Sequence, residues 1–152
     1  IKYFKKMVIF RPHNVFGPDM GWEHVIPQLV LKIKNRKKNT ISIQGSGNET
    51  RSFIEINDFC HAFFKVFTKA KHLQIYNIGN DKEIRISQLL NKILKILKKK
   101  VNIKKINLKK GSPKRRCPDI TKLKKIGYDP NYNLDQSLVE TVNWYVENNK
   151  KF

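Results

Sequence analysis

The stretch Met7-Val8-Ile9-Phe10-Arg11-Pro12-His13-Asn14-Val15-Phe16-Gly17-Pro18 decides how the rest of the chain is read. Its four consecutive apolar residues, Met7 to Phe10, predict a short buried β-strand. Pro12 has no amide proton to give to a ladder, so Arg11 to Asn14 is expected to end that strand. Val15 to Gly21, with two Gly and one Pro, reads as a loop. A buried strand running into a polar Arg-Pro-His-Asn segment suits an open α/β sheet, where ligands sit at the carboxyl ends of strands.

Downstream of that strand, Val25, Ile26, Leu29, Val30 and Ile33 recur at helical spacing, with Pro27 acceptable in the first turn. Ile41 to Ile43 is a short strand, closed by the turn Gly45-Ser46-Gly47-Asn48. Ser52 to Ile56 alternates as a strand does, and Asn57 or Asp58 is expected to cap a helix from Phe59 to about Thr68. Gln74 to Ile78 reads as a strand. Ser87 is expected to cap a helix with Leu90, Ile93, Leu94 and Leu97 on one face. Val101 to Leu108 alternates weakly. Asp119 is expected to cap a short helix that Gly127 stops and Pro130 prevents from continuing, and Leu134 to Val146 forms a last amphipathic helix. The order is mixed α/β. Its strands are too short and too few for a complete doubly wound sheet, so the strand Met7–Phe10 is expected to belong to a larger one.

The 152 residues suffice for one ordinary domain. No apolar run approaches the roughly 18 residues that span a bilayer, and no signal peptide is visible. Cys60 and Cys117 form neither a disulfide framework nor a zinc knuckle, so a cytoplasmic location is the expectation. The net charge of +20 invites a nucleic-acid reading, but 26 of the 32 basic residues are Lys, whereas base-edge readout favours Arg. Residues 92–125 hold 13 Lys, 2 Arg and one acid. This stretch is read as a solvated lysine-rich face; the alternative is a non-enzymatic basic module that binds nucleic acid or another polyanion. The four His residues show no ligand spacing, so no metal is expected. Cys60 is expected to be a core thiol.

Polar groups that a fold does not require collect in three places. Asn14, beyond the first strand, offers a donor and an acceptor, or closes an Asx turn on its own backbone. Gly45-Ser46-Gly47 lets the backbone approach something closely, with Arg51 just behind as a phosphate fork or as a surface residue after a hairpin. Lys114-Arg115-Arg116 suits a diphosphate, with Asp119 able to hold one arginine, or is a surface basic cluster before a helix.

Together these segments resemble a known pattern. Arg11 to Pro18 resembles the R-x-x-N-x-Y-G-P segment of extended short-chain dehydrogenase/reductases acting on nucleotide sugars, the NAD-dependent epimerase/dehydratase family. Gly45 to Phe53, running to Asp58, resembles their G-x-G-x-x-x-R-x-F…D block, and Tyr76-Asn77-Ile78-Gly79 their Y-N-I-G strand end. Arg115 to Ile120, followed by Ile126 to Pro130, resembles their R-x-x-D-I…L-G-W-x-P tail.

The resemblance implies the C-terminal, substrate-binding region of such an enzyme: an incomplete Rossmann sheet plus a small mixed α/β domain. Residues 1–21 would be the remnant of the NAD-binding domain and 22–152 the nucleotide-sugar-binding domain. The implied ligand is a UDP-, dTDP-, GDP- or CDP-linked sugar. By matching position, Pro12 and His13 lie near the nicotinamide edge of NAD, and Asn14 contacts substrate near its diphosphate. His24 and Val25 line the sugar and diphosphate side. Ile41, Ser42 and Ile43 offer backbone groups to the base, and Asn77 touches the nucleotide. Arg51 and one or both of Arg115 and Arg116 bind the diphosphate.

The departures are the family's glycine-rich NAD turn and its Tyr-x-x-x-Lys pair, neither of which occurs in the chain. The chain is therefore expected to be a fragment without turnover of its own, with no catalytic residue. A homodimer, common in the family, would form through helices it does not contain. His24 stands where the family's decarboxylases place Arg and its dehydratases tend to place Lys. That leaves an epimerase or a dehydratase variant, with a related NAD(P)-dependent reductase as a weaker option.

Overall fold

A computed structural model describes residues 5–108, 110–131 and 133–148. The elements are β1 (Val8–Pro12), β2 (Val15–Phe16), α1 (Val25–Lys34), β3 (Thr40–Gln44), β4 (Thr50–Ser52), β5 (Ile54–Glu55) and α2 (Ile56–Lys69). They are followed by β6 (Gln74–Ile78), β7 (Glu83–Arg85), α3 (Ile86–Ile96), β8 (Asn102–Ile106), β9 (Arg115–Arg116), α4 (Thr121–Lys125) and α5 (Leu134–Glu147). The strands form small sheets. β1 pairs in parallel with β6, β2 with β5 and β3 with β8, while β4 sits between antiparallel β7 and parallel β9. The fold is thus α/β, and among the described residues no helix is long and apolar enough to cross a membrane.

Two hydrophobic clusters hold it. The first gathers α1, α3 and α5 over β3, with Ile26, Val30, Ile33, Leu90, Ile93 and Val142 fully buried. Burial of each such side chain contributes about 1.5–3 kcal/mol. Tyr145 on α5 belongs to it, donating its hydroxyl to the Met20 carbonyl while Trp22 packs edge-on against its ring at 4.7 Å. The second cluster packs α2 and α4 on one face of the β1–β6 ribbon, through Ala62, Val66, Tyr76, Ile78 and Leu123. Asp58, buried at the start of α2, ties the C-terminal segment to it by accepting from the Tyr128 hydroxyl (3.1 Å) and the Asn131 amide (3.3 Å).

Several expectations are corrected. The first strand runs on to Pro12, at the terminal position a proline tolerates, and it is not buried: Ile9 is 54% exposed. Part of the expected loop, Val15–Phe16, is a strand. The single strand expected over Ser52 to Ile56 is two, β4 and β5, with different partners. Helix α2 begins at Ile56 and is capped by Glu55, whose carboxylate accepts from the Asn57 and Asp58 amides, not by Asn57 or Asp58. Helix α3 begins at Ile86, so Ser87 lies inside it. Cys60 is exposed, not a core thiol. Asp119 accepts from the Thr121 amide at the start of α4 and holds no arginine among the described residues.

Candidate functional site

A cavity of about 350 Å3 opens between α1, β3, the β4–β9 pair, Leu108 and Ser112. Helix α1 presents Val25, Gln28, Leu29 and Lys32 to it, an i, i+3, i+4, i+7 stripe. Buried Ile26, Val30 and Ile33 hold the helix's other side in the core.

Opposite lie the arginines. Arg51 on β4 and Arg116 on β9 are direct partners in register, so two guanidinium groups occupy neighbouring positions and both line the cavity. Like charges facing each other across strands are destabilising. Burial first, and then the Arg116 charge, pull the Arg51 pKa below its usual value, with Glu49 partly opposing. Arg51 is fixed by donating Nη1 to the Thr50 carbonyl at 2.7 Å and Nη2 to the Pro113 carbonyl at 2.9 Å. Neither Arg51 nor Arg116 makes an ion pair among the described residues.

Glu49 also lines the cavity, but its carboxylate folds back to accept from the Ser46 amide (3.0 Å), the Ser46 hydroxyl (3.1 Å) and the Gly47 amide (2.8 Å). Desolvation pulls its pKa up, yet these backbone bonds together bring it below the usual carboxylate value. The turn needs glycine at position 45: its φ is +79, and a Cβ there would collide with the Glu49 carboxylate. The close approach the two glycines permit is therefore to Glu49 and, at Gly47, to Ser87 on α3.

Asn14 takes a left-handed conformation, φ 44, which Asn tolerates. It donates its side-chain amide to the Ser52 carbonyl at 2.8 Å, while its own carbonyl accepts from the Ile54 amide at 3.3 Å. That pins the end of β1 against the strands that carry Arg51. His24, just before α1, completes this end of the cavity.

Of the residues singled out in the sequence, Asn14, His24, Val25, Ile43, Arg51 and Arg116 thus line one cavity. The others lie elsewhere. Ile41 points into the core, and the Ser42 carbonyl accepts from the Lys32 ammonium at 3.2 Å. Asn77 donates to the Asp119 carbonyl at 2.9 Å. Arg115, next to Arg116 on a strand, is held by Glu83 through bonds of 2.9, 3.1 and 2.5 Å. Pro12 is exposed at the end of β1, and His13 packs against Gly79 with its buried Nε2 unpartnered among the described residues. Gln28 and Lys32 were not singled out; their four-residue spacing on an amphipathic helix was the available signal.

The sequence profile described as the NAD dependent epimerase/dehydratase family matches residues 2–79. The chain is 30% identical over 148 residues to a trifunctional UDP-glucose 4,6-dehydratase/UDP-4-keto-6-deoxy-D-glucose 3,5-epimerase/UDP-4-keto-L-rhamnose-reductase of Arabidopsis thaliana, covering 96% of this chain and 22% of that protein. It is 29% identical over 154 residues to the human dTDP-D-glucose 4,6-dehydratase, covering 97% of this chain and 43% of that one. Its structure resembles that of the dTDP-glucose 4,6-dehydratase DesIV of Streptomyces venezuelae, solved with NAD and TYD bound. The TM-score is 0.84 at 27% identity, over 95% of this chain and 45% of the other. The chain thus spans less than half the length of these relatives. With half the chain inside the family profile and nearly all of it superposable on a member's fold, it belongs to the NAD-dependent epimerase/dehydratase family.

Proposed function

We propose that this chain is the nucleotide-sugar-binding part of an NAD-dependent epimerase or dehydratase and grips the sugar donor by its diphosphate. The observation that carries the reading is the pair Arg51 and Arg116, in register on adjacent strands, facing one cavity and uncompensated by any ion pair among the described residues. Two like charges held side by side cost stability unless an anion joins them, and a diphosphate offers acceptor oxygens on two linked phosphates. Asn14, His24 and Val25 then border the sugar, and β3 borders the base. Arg115, tied to Glu83, braces the strand that presents Arg116.

NAD supplies reversible hydride acceptance when bound. The chain offers it one edge: Pro12 at the end of β1, and His13, whose orphaned buried Nε2 fits a polar group of the nicotinamide end. The dinucleotide's body and the Tyr-x-x-x-Lys pair belong to polypeptide beyond these residues. The β1–β6 ribbon, whose Ile9 and Ile75 lie exposed among the described residues, is where that part joins. The assembled enzyme acts in a reducing cytoplasm, in keeping with two free cysteines.

Calorimetric titration of UDP or dTDP into the chain and into Arg51→Ala tests the reading. Loss of a charge-assisted bond to phosphate weakens binding by roughly tenfold or more. Equal affinity in both proteins removes Arg51 from the diphosphate site.

A further inference from the structure

A second cavity, of about 710 Å3, lies between β7, α3 and the start of α5, within the size range of small-molecule sites. Of the described residues, Phe53 alone lines both this cavity and the first one. Three of the side-chain amides lining it have their oxygens committed to backbone N–H groups. Asn80 Oδ1 accepts from the Lys82 amide at 2.9 Å, Gln88 Oε1 from the Arg85 amide at 3.0 Å and Asn133 Oδ1 from the Asp135 amide at 2.8 Å. Each of these side chains is thereby oriented and keeps its NH2 as a donor. Lys82 and Lys92 add ammonium groups, Lys92 shared with Asp135 at 2.5 Å. Glu83, the one carboxylate among the described lining residues, is already held by Arg115 and the Thr50 hydroxyl. Buried Phe53 and Ile84 supply an apolar base. A cation finds no free carboxylate in such a cavity, and an apolar ligand would strip water from its donors without replacing it. The lining suits a ligand with many acceptor oxygens, a negative charge and one apolar face.

We propose that this second cavity binds a sugar acid, a hydroxylated ring bearing a carboxylate, at a site separate from the nucleotide-sugar cavity. The NH2 groups of Asn80, Gln88 and Asn133 donate to ring oxygens, and Lys82 takes the carboxylate through a charge-assisted bond, about twice as strong as a neutral one. Asn91 and Asn131 also line the cavity, and their amides can both donate and accept, so they receive the hydroxyl protons. The C–H face of the ring rests on Phe53 and Ile84. The inference stands apart from the nucleotide-sugar reading, because Phe53 is the one described residue that the two cavities share.

The test is equilibrium titration of digalacturonate, of the neutral disaccharide lactose and of sulfate into the chain and its Lys82→Gln and Asn91→Ala variants. Both side chains are exposed, so the variants keep the fold. The unaltered chain is expected to bind digalacturonate about tenfold more tightly than lactose or sulfate, the worth of one charge-assisted bond. Lys82→Gln removes that tenfold advantage and leaves lactose affinity unchanged, whereas Asn91→Ala weakens both sugars by about fivefold. Added UDP leaves digalacturonate affinity as it was. Equal affinity for lactose and digalacturonate overturns the carboxylate contact and with it the proposal. Sulfate binding as tightly as digalacturonate makes the cavity a plain anion site and overturns it too. Displacement of digalacturonate by UDP puts the sugar acid in the first cavity, and indifference to both substitutions puts it on another surface. Either result overturns the assignment, as does the absence of digalacturonate binding.

Discussion

The two hydrophobic clusters of this chain are finished to different degrees. Around α1, α3 and α5 the core-facing side chains are enclosed, and Ile26, Ile33, Leu90 and Ile93 are wholly buried. Among the described residues the β1–β6 ribbon is packed under helices on one face only. There Tyr76 and Ile78 are buried under α2 and α4, while on the other face Ile9 and its register partner Ile75 are 54% and 37% exposed. Parallel strands occur almost entirely in sheets covered on both faces, and a two-stranded ribbon is marginal alone. The ribbon is also not a product of the first 21 residues by themselves: β6 and its covering helix come from residues 56–78. The finished cluster supports the cavity with its two arginines, and the unfinished one offers an apolar face.

The sharpest way to break this comparison is a core deletion in the finished cluster. Leu90→Ala removes a fully buried side chain from α3 and is expected to cost about 2–5 kcal/mol in urea unfolding. A loss below about 1 kcal/mol would mean that the α1–α3–α5 packing is loose, and that the cavity rests on no rigid base.

Alkaline titration probes both clusters, because each buries a tyrosine. In the finished one, burial and then the Asp19 charge push the Tyr145 hydroxyl up to about 12, from an ordinary value of 10.0. In the other, burial and then the Asp58 charge push Tyr128 up as well. A phenol whose folded pKa is raised stays protonated while the unfolded chain releases its proton, so unfolding is favoured as pH rises. The contribution is intact below pH 10.0 and is lost between there and about 12. Tyr145→Phe is expected to flatten the fall in thermal midpoint across that window. An unchanged slope would place the phenol in water.

Most of the finished cluster was legible in the sequence, because α1, α3 and α5 each repeat apolar residues at helical spacing over ten or more positions. β2 and β9 were not, since two residues carry no period and their pairing is set by distant partners. The cap of α2 escaped because Glu is uncommon at that position. The burial of β1 was misread for a physical reason: four apolar residues in a row promise a layer on each side, and the described chain supplies one. The same limit applied to the arginines. The expectation that Arg51 and at least one of Arg115 and Arg116 bind a diphosphate rested on their donor forks and the motif resemblance. Which of the two would face the cavity depends on the strand alternation of β9 and on Glu83 capturing Arg115.

The smallest expected effect probes the open side of the second cluster. Phe64 and Phe67 on α2 are 63% and 70% exposed, beyond the Ala62 and Val66 positions that pack on the ribbon. Phe67→Ser removes apolar area that water already touches, so unfolding in urea is expected to shift by no more than about 0.5 kcal/mol. Self-association, followed by sedimentation, should fall, because exposed apolar surface is what such contacts bury. A destabilisation comparable to that of Leu90→Ala would show Phe67 to be covered in solution. The contrast between the two clusters would then be one of partners present, not of packing left incomplete.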